Sequence, residues 1–242
     1  MPGKENNDSK GHVPKKPVIG ILMLDTKFPR ILGDIGNAET WPFEVCYGVV
    51  KGADVDLVVR GGAKGLLAPF IAEAKKLIAE GASGIATGCG FLSIYQKELA
   101  EELSVPIVTS SLLQAASIKM MLPKEKCVGI ITISEEDLSE NHLRMAGVPE
   151  GTPIVGTDKD TEISRVIFND EATLDIEAAR KDLENAATKL VGENPNVGAI
   201  LLECTNMAPY APAINMVTGL PVYSIYSLLN WFYASLTPQK FD

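Results

Sequence analysis

The sequence predicts an α/β protein of two pseudo-symmetric lobes, each with a mainly parallel sheet flanked by helices, with the active site in the cleft between them. Three observations carry this. Short apolar, β-branched runs alternate with longer amphipathic segments; the second half of the chain repeats the first; and the rarest residue type in the repeat is a cysteine in both copies.

The strand-like runs, in order, are PVIGILML (17–24), FEVCYGVV (43–50), SGIATG (83–88), VPIVT (105–109), CVGIITI (127–133), TPIVGT (152–157), VGAILLE (197–203) and LPVYSI (220–225). Runs that are apolar throughout, rather than alternating with polar residues, mark strands covered on both faces, as in parallel sheets built from βαβ units. Between them, APFIAEAKKLIAEG (68–81) has helical periodicity and ends on Gly81, and SIYQKELAEELS (93–104) is a second helical segment. The stretch TKFPRILGDIGNAETWP (26–42) is too rich in Gly, Pro and Asp for regular structure and reads as a long loop after the first strand, a common place for function.

Laying GIATGCGFLSIYQKELAEELSVPIVTSSLL over AILLECTNMAPYAPAINMVTGLPVYSIYSLL brings Cys89 onto Cys204, Tyr95 onto Tyr210, Pro106 onto Pro221 and Leu113 onto Leu228, all 115 positions apart. Upstream, VIGILML (18–24) resembles VGIITIS (128–134) at a slightly different spacing, as expected of a duplicated unit with an insertion. The expected organisation is a disordered leader over 1–16 that includes His12, a first lobe over 17–115 to which 223–242 returns, and a second lobe over 116–222. The apolar stretch SLLNWFYASL (227–236) is expected to pack on the first lobe or to offer Trp231 and Phe232 to a second copy in a homo-oligomer.

Composition narrows the function. With 22 Lys and Arg against 31 Asp and Glu, a net charge of −9 leaves no broad cationic surface for nucleic acid. No apolar run approaches the roughly 18–20 residues of a membrane helix, so neither nucleic acid nor membrane is expected as a partner. Four cysteines without CxxC spacing read as reduced thiols in a cytoplasmic protein, and His142, the one histidine beyond the leader, has no ligand cluster around it, so no metal is expected.

Cys89 and Cys204 each come after a buried run and before a helical one, which is the carboxyl edge of a parallel sheet, where ligands bind. A helix N-terminus at that edge offers free N–H groups and a positive potential, which is expected to lower each thiol pKa toward neutrality. Two such thiols facing one cleft from opposite sides suit proton transfer on both faces of one carbon. Cys46 and Cys127, inside strand-like runs, read as small buried hydrophobes.

On these residues the chain resembles the aspartate/glutamate racemase superfamily, which includes hydantoin racemases, over nearly everything from residue 17 onward. The strongest motif is LLECTNM (201–207), similar to the block that carries the second catalytic thiol. The resemblance implies a cofactor-independent isomerase: Cys89 and Cys204 as alternating base and acid, a small carboxylate substrate, Thr205 and Asn206 supporting the carboxylate, and Asp25 and Thr26 near a substrate amine. Amides near Gly90 and Thr205 would stabilise an enolate-like carboxylate. Thr109 and Ser110, at a strand end on the same edge, are open between carboxylate contact and helix capping. Arg30 and Arg60 read as solvated arginines, with a clamp on a distal carboxylate as the alternative.

The first block departs from the family, with Gly90 and Phe91 where amino-dicarboxylate racemases have Asn and Thr, so a hydantoin or an unusual amino acid is also expected among substrates. A dinucleotide fold is disfavoured because Ser93 stands where a third glycine belongs. An arylmalonate-type decarboxylase needs only one thiol. A maleate-isomerase-like enzyme with a covalent cysteine, and an inactive small-molecule binder on the same scaffold, remain as alternatives.

Overall fold

The computed structural model describes residues 16–239 and 241; the leader apart from its last residue, with His12, lies outside the described residues. The first sheet contains β1 (Val18–Leu24), β2 (Val45–Val50), β3 (Ala82–Thr87) and β4 (Ile107–Val108) in the order β2-β1-β3-β4. The second contains β5 (Cys127–Thr132), β6 (Ile154–Gly156), β7 (Val197–Leu202) and β8 (Val222–Tyr223) in the order β6-β5-β7-β8. Every pairing in both sheets is parallel. All seven residues of β1 are buried, as a central strand with helices on both faces requires.

The duplication is visible in the hydrogen bonds. Ile85 N–H donates to the Pro106 carbonyl and Ile200 N–H to the Pro221 carbonyl, both at 2.9 Å and at residues 115 apart. The register slips at the start of both central strands, between Val18 and Ile19 and between Cys127 and Val128.

The connecting helices are α1 (Val55–Val59), α2 (Leu67–Ala79), α3 (Gln96–Glu102), α4 (Ala115–Met121), α5 (Glu140–Met145), α6 (Glu162–Phe168), α7 (Ile176–Glu193), α8 (Ala211–Thr218) and α9 (Ile225–Leu236). Side chains cap several of them: Asp54 accepts from Leu57 N–H ahead of α1, Asp175 from Glu177 and Ala178 ahead of α7, and Ser224 from Tyr226 ahead of α9. The 26–42 loop is irregular apart from a single 3-10 turn at Ala38–Thr40.

Helix α9 crosses back to the first sheet, where Ile225, Leu228, Leu229 and Phe232 pack with Ile19, Ile21 and Ala86. Gly84 in β3 makes this approach possible, since a Cβ there would stand 2.8 Å from the Phe232 ring. Phe232 is thus committed to the core, while Trp231 points outward and is 69% exposed.

Candidate active site

The two sheets turn their carboxyl edges toward one another, and the chain leaving β3 and β7 delivers the two cysteines to a small, enclosed cleft. Cys89, Gly90, Cys204, Thr205 and Asn206 line it together with Arg30 and Glu203. Its walls are apolar: Leu24, Phe28, Val55, Val59 and Phe91 from the first lobe, Ile133 and Ile167 from the second. The lobes are clasped around it. Thr205 Oγ1 donates to the Gly88 carbonyl at 2.8 Å, Ser111 Oγ to the Leu202 carbonyl at 2.6 Å, and Phe28 N–H to Asp170 Oδ1 at 3.1 Å.

Each cysteine leads into a 3-10 turn, Gly90–Tyr95 after Cys89 and Ala208–Tyr210 after Cys204, and the α-helix begins only beyond it. The expected N-terminal field is therefore displaced from the thiols, and burial dominates. Burial pushes the Cys89 thiol up to about 12, with the neighbouring Glu203 carboxylate adding to it, against the opposing N–H groups of Phe91 and Leu92 and the charge of Arg30. Burial and Glu203 likewise hold the Cys204 thiol well above its ordinary value, with Cys89 and Asp34 contributing in the same direction and the Asn206 N–H opposing. The expectation of thiols near neutrality is corrected: both rest protonated, because removing a charge from water costs more than a short turn's dipoles return.

Asp25 and Thr26, expected near a substrate amine, do not line the cleft. Asp25 sits outside the cleft, exposed and paired with Lys51 Nζ at 3.3 Å, because the turn after β1 directs it toward the Lys51–Gly52 loop. Thr26 is a support: its Oγ1 accepts from Arg30 Nη2 at 2.9 Å. Thr109 and Ser110 are fully buried and spent on the fold, Thr109 donating to Gln96 Oε1 at 2.7 Å and Ser110 accepting from Leu112 N–H at 3.2 Å. Arg60 stays at the surface, half-exposed, paired with Asp56 and stacked on Phe168.

Arg30 departs from the solvated reading. Its side chain is only 16% exposed, lies over the Phe28 ring at 4.1 Å and pairs with Asp34 Oδ1 at 3.3 Å. Asp34 Oδ2 in turn accepts from Asn206 Nδ2 at 2.7 Å, and Asn206 Oδ1 accepts from the Cys204 thiol at 3.5 Å. The long loop thus reaches across the cleft to orient the second cysteine. Sequence reasoning missed Asp34 and Glu203 altogether; the signal for Glu203 was its place beside Cys204 inside LLECTNM. Glu203 is buried, Thr132 Oγ1 donates to its Oε2 at 2.8 Å, and burial raises its carboxyl to about 7.

No protein-family model matches the chain. Among solved structures, a liganded double mutant of arylmalonate decarboxylase superposes with a TM-score of 0.63 at 17% identity, over 93% of this chain and 94% of that one. A glutamate racemase isoform from Bacillus anthracis gives 0.59 at 16% identity, covering 93% and 84%. Allantoin racemase from Pseudomonas fluorescens gives 0.55 at 15%, covering 93% and 99%. The chain shares the fold of these decarboxylase and racemase structures.

The curated relatives carry another name. A dimethylsulfoniopropionate lyase of Durusdinium sp. clade D is 26% identical over 238 residues, 96% of this chain and 77% of that protein. Dimethylsulfoniopropionate lyases 3 and 6 of Emiliania huxleyi are each 29% identical over 96% of this chain, which spans only 63% of their length. Among the described residues no group of three or more His, Cys, Asp or Glu is placed to hold a metal ion, and no helix is long and apolar enough to cross a membrane.

Proposed function

We propose that this protein is a cofactor-independent lyase that removes the α-proton of a small carboxylate carrying a sulfonium group on its β-carbon, with dimethylsulfoniopropionate as the representative substrate. The observation that carries this reading is the pair of thiols, Cys89 and Cys204, in one cleft with apolar walls. The likeness to dimethylsulfoniopropionate lyases over 96% of the chain supports it.

The chemistry rests on carbon acidity. The thiolate of one cysteine takes the α-proton while the thiol of the other steadies the enolate-like carboxylate by a hydrogen bond; the C–H electron pair becomes the π bond of an acrylate; the C–S bond breaks with its pair on sulfur, releasing neutral dimethyl sulfide. Charge balances, since the thiolate becomes a thiol and the sulfonium becomes a sulfide. Each thiol rests protonated, so one of them must first give its proton to solvent, and a cation entering the cleft favours that loss by making the thiolate less costly. Arg30, held by Asp34, is the cation in the cleft for the substrate carboxylate.

The walls favour a sulfonium over an ammonium. An amino acid would bring three N–H donors against Leu24, Phe28, Val55 and Val59, which accept nothing; Asp25, the carboxylate expected to receive them, lies outside, and the one free oxygen of Glu203 cannot take all three. A dimethylsulfonium has no donor to leave unpaired. The second reading, a racemase of amino acids or hydantoins, is favoured by the presence of two thiols rather than one, as proton delivery to the opposite face requires.

Proton NMR in D2O with dimethylsulfoniopropionate, a panel of amino acids and hydantoins separates them. Acrylate from dimethylsulfoniopropionate is the expected result. Exchange of an α-proton in an amino acid or hydantoin, with no acrylate formed, would replace the lyase by the racemase.

A further inference from the structure

Glu203 carries two features that the fold alone does not account for. It is 1% exposed, yet its Oε1 has no hydrogen-bond partner; Thr132 donates to Oε2, and the Ile133 amide is near enough to lower the carboxyl pKa without making a bond of normal geometry. A buried carboxylate oxygen left without a partner is costly and uncommon. Second, a Cβ on residue 90 would fall 2.2 Å from that same Oε1 and 2.4 Å from the Glu203 carbonyl oxygen. The glycine after Cys89 is therefore what admits the carboxylate: Glu203, rising from the second lobe, occupies the space that a side chain next to the first thiol would fill.

We infer that Glu203 is the counter-ion for the positively charged group of the substrate, and hence the residue that selects an onium carboxylate over a neutral one. The inference rests on the proposed reading of the cleft as a site for such a zwitterion. The cleft then offers one cation and one anion to a molecule that carries one of each: Arg30 for the carboxylate, and the free oxygen of Glu203 for the onium, between walls that suit its methyl groups. Glu203 is a positioning and specificity residue; the proton is handled by the thiols. A tightly held water on Oε1 is the competing explanation, and it predicts no charge selectivity.

The test uses two shape-matched probes, 3-(trimethylammonio)propanoate and 4,4-dimethylpentanoate, which differ in having a cationic nitrogen or a neutral carbon at the branch. Isothermal titration calorimetry at pH 8 is expected to give the wild-type protein a preference of about tenfold or more for the cation. In Glu203→Gln that preference should fall to within about threefold, with binding of the neutral probe unchanged. A wild-type protein that binds both equally, or neither, would overturn the inference, as would a preference that survives in a folded Glu203→Gln.

Should that variant not fold, the wild-type protein still decides: its preference should grow from pH 6 to pH 8 as Glu203 ionises. The ionisable groups that line the cleft with it are Cys89, Cys204 and Arg30, with Asp34 behind Arg30 and His142 behind Phe91, and both thiols stay protonated over that range. A flat profile counts against the role. Because binding is read without turnover, selectivity found in a protein that releases no dimethyl sulfide would retain the counter-ion and discard the lyase.

Discussion

Replacing Glu203 by Gln should stabilise the protein, and by an amount that depends on pH. The carboxyl is raised from 4.5 to about 7 in the folded chain, chiefly by burial, with Thr132 and the Ile133 amide only partly offsetting it. A raised folded pKa means that the native state holds the proton while the unfolded state releases it. Stability is therefore unpenalised below about pH 4.5, falls as pH rises, and levels off above about pH 7, having lost on the order of 3 kcal/mol.

Gln is isosteric with the protonated acid and cannot ionise, so it removes this slope. The variant should match the wild type at pH 4.5, to within a constant offset, and exceed it by about 3 kcal/mol more at pH 8, or roughly 6–12 °C in Tm. Urea denaturation monitored by the fluorescence of the buried Trp41 reads the difference. His142, which burial shifts downward, contributes equally to both proteins and cancels. Working below pH 9 avoids ionising Cys89 and Cys204. An offset between variant and wild type that is the same at pH 4.5 and pH 8 would show that Glu203 is not held protonated by burial, and so would a loss of stability confined to pH 8. A gain of stability joined to a loss of selectivity would mark Glu203 as a residue kept for function.

The same geometry fixes three further outcomes. Gly90→Ala forces a Cβ against a backbone carbonyl as well as a carboxylate, so it should cost about 1–3 kcal/mol by thermal denaturation; an unchanged Tm would show that the lobes part freely at this point. With Cys89 raised to about 12, its thiolate fraction at pH 7.5 is on the order of 10⁻⁵–10⁻⁴. Peptide mapping after brief iodoacetamide treatment should therefore find Cys89 and Cys204 modified more slowly than Cys46 and Cys127, although Cys89 is as partly exposed as those two, and fast labelling of either would contradict thiols held protonated. Asp34→Ala removes the link between Arg30 and Asn206 and should cost about 2–3 kcal/mol of stability. Its kcat should fall by more than its KM rises, since Cys204 loses its orientation; a change in KM alone would assign Asp34 to substrate binding.

The fold was legible because its signals are local or periodic. Unbroken apolar runs such as VIGILML can only be strands covered on both faces, and the spacing of 115 between Cys89 and Cys204 recurs in the structure as equivalent hydrogen bonds at Ile85 and Ile200. The thiols and their immediate neighbours Gly90, Thr205 and Asn206 were legible for the same reason, being carried on the strand ends. Whatever depended on tertiary placement was not. Asp25 stands one residue beyond a buried strand, and only the path of the 51–52 turn decides that it pairs with Lys51. The thiol pKa values come from enclosure by both lobes, which no local spacing encodes. Glu203 looked like the polar end of a strand, and its role emerges only where Gly90 of the other lobe leaves room for it.

If Cys89 and Cys204 together remove an α-proton and expel dimethyl sulfide, the released gas reports it without any further assumption. The decisive experiment is headspace measurement of dimethyl sulfide formed from dimethylsulfoniopropionate by the wild type and by Cys89→Ser and Cys204→Ser. Release from the wild type with equimolar acrylate is expected, with a loss of about a hundredfold or more in each variant. No release from the wild type, or a serine variant within about threefold of it, would rule out a two-thiol lyase.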